Sequence, residues 1–237
     1  MINLGVNLDH VATLRNARGE NDPVFLECAY EARLGGADQF TIHLREDRRH
    51  IKENDVEVLI EHGRLPINLE LSSKPEMLEF AFKYKPTSLC IVPENRNEVT
   101  TEGGLNLAKL KSSLETIIPE LLKAEIEVFL FVEPEVDTLQ IAADLKVTGV
   151  EIHTGLYSRE FNNKFRRKEN WANIVKAAEF CSKNNLKFHA GHGINYLNVD
   201  PFKKISNCLE LNIGHAIISR SVLVGLRQAV REMKELL

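Results

Sequence analysis

The chain has 237 residues, of which 43% are hydrophobic and 27% are charged, so it can bury a core without help from disulfides or metals. Its 30 Lys and Arg residues against 34 Asp and Glu residues leave a formal charge of -4, which argues against a general electrostatic binder of nucleic acid or anionic membrane. No run approaches the about 20 consecutive apolar residues of a membrane span, and the first residues lack the features of a secretory signal; together these features predict a cytoplasmic protein that acts on small molecules.

Short β-like runs alternate with amphipathic helical patterns along the whole chain, which is typical of βα units and a parallel sheet. Strands are predicted at residues 2–8, 39–43, 66–71, 87–92, 127–132, 148–153, 186–191 and 209–214. Helices are predicted at residues 24–34, 53–62, 75–84, 105–124, 135–146, 168–184, 199–206 and 219–237. Because a doubly wound sheet seldom needs eight strands in this length, the pattern predicts an α/β fold, a single (β/α)8 TIM barrel over residues 1–237 with extra helical segments in its βα loops.

Three predicted connections are unusually long for βα loops, at residues 44–52, 93–104 and 154–167. Each follows the carboxyl end of a strand, the face on which barrel enzymes carry their chemistry. We interpret the loop at 93–104 as a candidate lid that keeps water from reactive intermediates. The basic stretch at 156–170 is predicted to be solvated and without a chemical role.

Six of the eight histidines lie at or just beyond the predicted strand ends. They are His10, His43, His50, His153, His192 and His215. Because the carboxyl ends of barrel strands meet at one rim, this grouping favours a functional site over six separate structural histidines.

Three carboxylates share the predicted rim: Asp9, Glu70 and Glu151. Glu70 alternates with Asn68 along its strand, so both side chains should point into the barrel mouth. A buried acid must be paired or neutral, and a raised pKa suits a general acid or base near neutral pH. We therefore predict a functional role for Glu70, with pairing to an interior Arg or Lys as the structural alternative.

Glycine-bearing turns and arginines on the same rim indicate phosphate binding. The turns lie at 100–104, 191–193 and 213–215, and the last two follow predicted strands 7 and 8, where many barrels bind phosphate. Guanidinium groups nearby can bind phosphate in bidentate fashion; they belong to Arg15, Arg18, Arg45, Arg48 and Arg49. One glycine-built and one arginine-built region predict two phosphorylated substrates, with a solvated, self-paired charge run as the alternative reading of residues 43–50.

Metal and cysteine chemistry are not predicted. The helical His-Glu-x-x-His pattern is absent, although spacing alone leaves open a metal site assembled in space. The four cysteines, Cys28, Cys90, Cys181 and Cys208, form no Cys-x-x-Cys pair and are interpreted as reduced and structural.

Eight blocks of sequence, in order along nearly the whole chain, carry a family resemblance. They lie at residues 5–19, 43–50, 68–70, 92–94, 98–104, 151–155, 190–193 and 211–216. Through them the chain resembles the pyridoxine 5'-phosphate synthase family of the deoxyxylulose-dependent vitamin B6 pathway. The resemblance implies a ring-closing condensation of 3-amino-2-oxopropyl phosphate with 1-deoxy-D-xylulose 5-phosphate to pyridoxine 5'-phosphate, phosphate and water. It also implies that no organic cofactor or metal is required, and that the protein forms a symmetric homo-oligomer, commonly an octamer.

The resemblance also implies roles for individual residues. His43 and Glu70 would be proton acceptors, His192 the proton donor, and Glu151 a support for a transition state. The aminooxopropyl phosphate would be bound by Asn7, Gly193, Gly214 and His215. The deoxyxylulose phosphate would be bound by Asp9, His10, Arg45, His50 and Thr100, with Arg18 reaching in from the loop after strand 1. His189 departs from the family, which more often carries a small or amide residue there, and its role is left open.

Two other functions stay open at this point. A metal-dependent phosphosugar epimerase or aldolase on the same barrel would also place His and acid residues on the rim. A catalytically idle sensor of a phosphorylated ligand is the second, and the retained acid–base positions argue against it.

Overall fold

A computed structural model describes residues 1–94 and 103–237 of the chain. Its eight parallel strands follow one another around a closed barrel, and the first strand pairs with the last. The strands are β1 (Asn3–Asn7), β2 (Gln39–His43), β3 (Ile67–Ser72), β4 (Ser88–Val92), β5 (Glu127–Val132), β6 (Gly149–His153), β7 (Lys187–Gly191) and β8 (Cys208–Ile213). The predicted α/β TIM-barrel fold is therefore confirmed, with every strand end within one residue of its predicted position.

Helices cover the outside of the barrel and part of its rim. They are α1 (Asp9–Asn16), α2 (Phe25–Gly35), α3 (Glu53–His62), α4 (Pro75–Tyr84), α5 (Leu107–Lys123), α6 (Val136–Asp144), α7 (Gly155–Arg159), α8 (Lys164–Lys183), α9 (His215–Val224) and α10 (Leu226–Lys234). The predicted extra segments in the βα loops are present: α1 follows β1, α7 follows β6, and α9 follows β8.

Three predicted helices differ from the structure. The one predicted at 199–206 is only a 3-10 turn at Asp200–Lys204. The one predicted at 219–237 begins earlier, at His215, and divides into α9 and α10 at Gly225, whose positive φ of 82° interrupts a helix. Helix α8 begins four residues before its predicted start because the side chain of Asn163 accepts the N–H groups of Phe165 and Arg166, each at 3.2 Å.

The main apolar core lies between the strands and the surrounding helices, where residues such as Leu4, Phe40 and Leu69 are fully buried. Inside the barrel the apolar side chains form a separate small cluster of Cys90, Val92, Phe129 and Phe131. All four cysteines are free, as predicted. No helix in the described ranges is long and apolar enough to cross a membrane.

The rest of the barrel interior is polar. Gln39 Nε2 donates to Glu210 Oε1 at 2.7 Å, and Thr41 Oγ1 donates to Asn212 Oδ1 at 2.6 Å. Such hydrogen bonds are needed because buried polar groups without partners are costly. These hydrogen bonds join β2 to β8 inside the barrel. They therefore support the polar side chains that lie nearer the rim on the same two strands.

Candidate active site

His43, at the end of β2, is held between two neighbouring strands. Strand register pairs His43 with Glu70 of β3, and His43 Nδ1 lies 3.7 Å from Glu70 Oε2. On the other side, the backbone N–H of His43 donates to Asp9 Oδ1 at 2.8 Å. Adjacent strand ends therefore bring together three of the predicted site residues.

Glu70 sits in an environment that disfavours its negative charge. Burial raises the pKa of Glu70 well above its ordinary value, and the carboxylates of Glu151 and Asp9 raise it further. Arg45 opposes this effect only in part. A carboxyl group in this setting can hold a proton near neutral pH, which is the property expected of a general acid or base.

Glu151, on β6, faces the same interior from across the barrel. Asn212 Nδ2 donates to Glu151 Oε2 at 2.8 Å, yet burial still raises the pKa of Glu151 to about 7. The neighbouring strand makes room for this side chain with a glycine: a Cβ on Gly191 would lie 2.1 Å from Glu151 Oε1. Glycine at this position of β7 is thus required by the close approach of the carboxylate.

The rim beside β1 and β8 collects a second group of predicted residues. Asn7 Nδ2 donates to Asp9 Oδ2 at 3.0 Å. The rings of His10 and His215 meet edge to face, with centroids 5.2 Å apart. Gly214 lies against Asn7, since an added Cβ would approach Asn7 Cβ to 2.9 Å. These contacts place the start of α9 beside the end of β1.

Arg45 and His50 lie in the segment that follows β2, and both are largely buried. Arg45 Nε is 3.9 Å from both Asp47 Oδ1 and Glu94 Oε2. His50 Nδ1 is 3.9 Å from Asp9 Oδ1, and burial lowers the pKa of His50. Arg45 and His50, two of the residues predicted to bind the deoxyxylulose phosphate, therefore lie beside Asp9 and His43.

His192 and Gly193 form a tight turn after β7, with φ angles of 73° and 80°. Thr154 Oγ1 bonds to the carbonyl oxygen of His192 at 2.7 Å and holds this turn. Burial lowers the pKa of His192 to about 4, and the positive charges of His153 and Arg159 nearby contribute to this shift. The imidazole of His192 is therefore neutral near pH 7.

Two carboxylates that pair with rim histidines were not predicted as site residues. Glu94, just after β4, has Oε1 2.8 Å from His43 Nε2. Glu133, just after β5, has Oε1 2.6 Å from His153 Nδ1, and the His153 ring lies 5.0 Å from that of His192. Each lies within two residues of a strand's carboxyl end, and that position is the signal that could have found both.

Two predicted site residues are not brought into this cluster. Arg18 lies on the connection between α1 and α2 with 79% of its side chain exposed, and it is 3.5 Å from Glu20. Thr100 and most of the predicted lid at 93–104 lie outside the described residues.

Other rim arginines are engaged by carboxylates. Arg15 Nη1 is 2.5 Å from Asp55 Oδ1, and Arg49 Nη2 is 2.7 Å from Asp47 Oδ2. Arg49 and Asp47 therefore pair with each other within the charge run at 43–50, as the alternative interpretation of that run predicts. Arg45 is instead buried and lies near Glu94, which contacts His43.

Among the described residues, Asp9, His43 and Glu70 present ligand atoms within 4.8 Å of one another, a spacing that a metal ion could use. Two of these residues already have protein partners: Asp9 Oδ1 accepts the backbone N–H of His43, and His43 Nε2 contacts Glu94. A metal at this position would have to compete with the contacts that order the cluster.

Comparison with known proteins adds the family. The profile of the family described as "Pyridoxal phosphate biosynthesis protein PdxJ" matches residues 4–237. The chain is 46% identical to the pyridoxine 5'-phosphate synthase of Campylobacter hominis, over 99% of both chains. It is also 46% identical to that of Magnetococcus marinus, over 100% of this chain and 97% of the relative.

Solved structures with low sequence identity share the fold. A 3-hexulose-6-phosphate synthase superposes with a TM-score of 0.64 at 17% identity, with both chains fully covered. Phosphoribosylanthranilate isomerase from Thermotoga maritima superposes with a TM-score of 0.64 at 10% identity, over 100% of this chain and 98% of the other. The names of the close relatives confirm the prediction of a biosynthetic enzyme. With a family match over residues 4–237 and 46% identity along whole relatives, the chain belongs to the PdxJ family of pyridoxal phosphate biosynthesis proteins.

Proposed function

We propose that this chain is a pyridoxine 5'-phosphate synthase that condenses 3-amino-2-oxopropyl phosphate with 1-deoxy-D-xylulose 5-phosphate. The observation that carries the proposal is the meeting of Asp9, His43 and Glu70 at one barrel mouth. It stands in a chain 46% identical over its length to proteins named as this synthase.

The chemistry needs several proton transfers, because an amine must add to a ketone, phosphate and water must leave, and a ring must close. Glu70 and His43 are the proposed proton acceptors, and Glu151 supports the charge that develops between them. The raised pKa values of the Glu70 and Glu151 carboxyls suit groups that gain and lose protons near neutral pH. Burial inside the barrel mouth supplies this property.

His192 is the proposed proton donor. Its pKa of about 4 leaves a neutral ring before substrate binds. A phosphate dianion bound beside Gly193 would favour the charged ring and raise the pKa of His192. Substrate binding would thus favour protonation of His192, the proposed proton donor.

Two anions need two sites. Asn7, Gly193, Gly214 and His215 form the proposed site for the aminooxopropyl phosphate, because α9 begins at His215 and the first N–H groups of a helix can bind an anion. The deoxyxylulose phosphate is assigned to Asp9, His10, Arg18, Arg45, His50 and Thr100. The proposal assigns no cofactor and no metal to the reaction.

The test is turnover by the purified chain with both phosphates in the presence of a chelator. Pyridoxine 5'-phosphate and released phosphate are measured together by mass spectrometry and a colour assay. Equal amounts of the two products support the proposal.

The failure outcomes separate the other functions. The ligand atoms of Asp9, His43 and Glu70 favour a metal-dependent phosphosugar epimerase or aldolase as the second candidate. Turnover of a single sugar phosphate that is lost with chelator and restored by metal would establish that candidate instead. Tight binding of a phosphorylated ligand by folded protein without any turnover would identify a sensor.

A further inference from the structure

Glu94 is a buried acid at the mouth of the barrel. It lies two residues beyond β4, and only 5% of its side chain is exposed. Its Oε1 is 2.8 Å from His43 Nε2, and its Oε2 accepts the backbone N–H of Glu46 at 3.1 Å. One carboxylate therefore joins the end of β4 to the segment that follows β2.

The state of Glu94 follows from these contacts. Burial favours the neutral acid, but the hydrogen bond from His43 and the N–H of Glu46 lower the pKa of Glu94 below its ordinary value. An ionised carboxylate only accepts hydrogen bonds. Nε2 of His43 must then carry the hydrogen that points at Glu94.

The hydrogen on Nε2 determines whether the other ring nitrogen, Nδ1, carries a hydrogen. A neutral imidazole has one N–H, so Nδ1 of His43 is left with its lone pair. This lone pair lies 3.7 Å from Glu70 Oε2, within about 1 Å of hydrogen-bond length. The side chain of His43 thus lies between two carboxyl groups, that of Glu94 and that of Glu70, and the proposed reaction uses Glu70 as a base.

We propose that Glu94 is a positioning residue, which fixes His43 in the tautomer whose Nδ1 can take a proton from Glu70. This inference rests on the proposed synthase function. Glu70 takes a proton from the bound substrate, forming an O–H bond. That O–H bond then breaks as an N–H bond forms at His43 Nδ1. The products are a Glu70 carboxylate, ready for another proton, and an imidazolium held by the Glu94 carboxylate.

Glu94 could instead serve only to hold the segment at 43–46 in place, so the test needs a readout that such a role does not move. The ¹⁵N chemical shifts of the His43 ring report directly which nitrogen carries hydrogen. Glu94→Gln keeps the shape: when its amide oxygen accepts the Glu46 N–H, its NH2 group donates towards Nε2 of His43, which must then lack hydrogen. Glu94→Asp keeps the charge on a shorter side chain and tests the same contact if Glu94→Gln folds poorly.

We expect the unsubstituted chain to show hydrogen on Nε2 and none on Nδ1 of His43, and Glu94→Gln to lose this preference. We expect kcat to fall about 10²- to 10⁴-fold in Glu94→Gln, with a smaller change in KM. Glu94→Asp should retain the tautomer and more activity than Glu94→Gln.

Two control variants match these measurements. Glu133→Gln alters the corresponding Glu–His pair at His153, so the ¹⁵N signals of His43 should stay unchanged. Glu135→Gln changes an exposed glutamate and should leave kcat unchanged.

An unchanged His43 tautomer in Glu94→Gln overturns the proposal, whether or not kcat falls, because any loss would then come from the segment at 43–46. Lost tautomer preference with unchanged kcat overturns it too. If the unsubstituted chain makes no pyridoxine 5'-phosphate, the proposed function fails by itself. The His43 signals, recorded without substrates, still decide whether Glu94 sets the tautomer.

Discussion

The acid–base property of Glu70 follows from the position of its side chain. It shares the barrel mouth with Glu151 and Asp9, and burial together with these carboxylates raises its pKa. Replacing it with the neutral, isosteric Gln removes proton transfer while keeping the shape. We expect Glu70→Gln to lower kcat about 10²- to 10⁴-fold in the synthase assay. We expect no loss of stability in urea unfolding, since the variant no longer has a carboxyl that resists ionisation.

Glu79→Gln is the matched control for this prediction, because Glu79 is exposed on α4. It should leave both kcat and the unfolding midpoint unchanged. Full activity in Glu70→Gln would show that Glu70 transfers no proton, and lower stability would show that its carboxylate is paired in the folded protein.

At the scale of elements, β2, β7 and β8 share a polar layer below the site. Glu210 of β8 accepts from Gln39 of β2 at 2.7 Å and lies 3.6 Å from Nδ1 of His189 on β7. Burial, aided by Glu151, raises the pKa of Glu210 to about 8, and burial lowers the pKa of His189 to about 3. His189 also stacks on Phe129 with ring centroids 4.2 Å apart. This residue, whose role the sequence left open, packs inside the barrel.

Glu210 makes the stability of the barrel depend on pH. Between the ordinary glutamate pKa of 4.5 and about 8, the folded chain holds a proton on Glu210 that the unfolded chain has released. The free energy of unfolding therefore falls as pH rises through this window. Glu210→Gln removes this term and can still bond to Gln39. We expect it to be more stable than the unsubstituted chain at about pH 8, by on the order of 1–3 kcal/mol, and to differ less at about pH 5.

Urea unfolding of both proteins at the two pH values measures this difference. A stability gap that does not change with pH would mean that Glu210 is ionised in the folded chain. Glu127→Gln, on a half-exposed glutamate of β5, is the control and should show a much smaller pH-dependent gap.

At the scale of the whole molecule, two of the extra helices expose apolar side chains. Leu14 on α1 is 59% exposed, and Val222 and Leu223 on α9 are 80% and 77% exposed. Contiguous exposed apolar patches often mark surfaces that bind other proteins, and on this ground we propose that α1 and α9 contribute to an interface between copies of the chain. In the homo-oligomer that we predict, closed symmetry would repeat this contact. We expect Leu223→Glu to lower the mass measured by light scattering below that of the unsubstituted assembly.

Val136→Glu is the control, since Val136 is 49% exposed on α6, which follows β5 rather than β8. It should leave the mass unchanged. The prediction fails if the unsubstituted chain is a monomer of 26.9 kDa, or if Leu223→Glu assembles like the unsubstituted chain.

Much of the fold could be predicted because its signals are local. Alternation of period 2 and period 3.6 marks strands and helices within a few residues of sequence. The errors fell where local signals conflict: a short proline-containing run became the 3-10 turn at 200–204, and Gly225 divided the last helix.

The sequence by itself determined the eight strands and the rim that gathers His43, Glu70, Glu151 and His192, because strand ends in a barrel must meet on one face. Only the tertiary structure decided which side chains touch. The contact of His43 with Glu94 joins residues 51 positions apart, and that of Glu151 with Asn212 joins residues 61 apart. Such contacts depend on strand register and barrel closure, which set distances across the barrel that no local pattern of residues encodes.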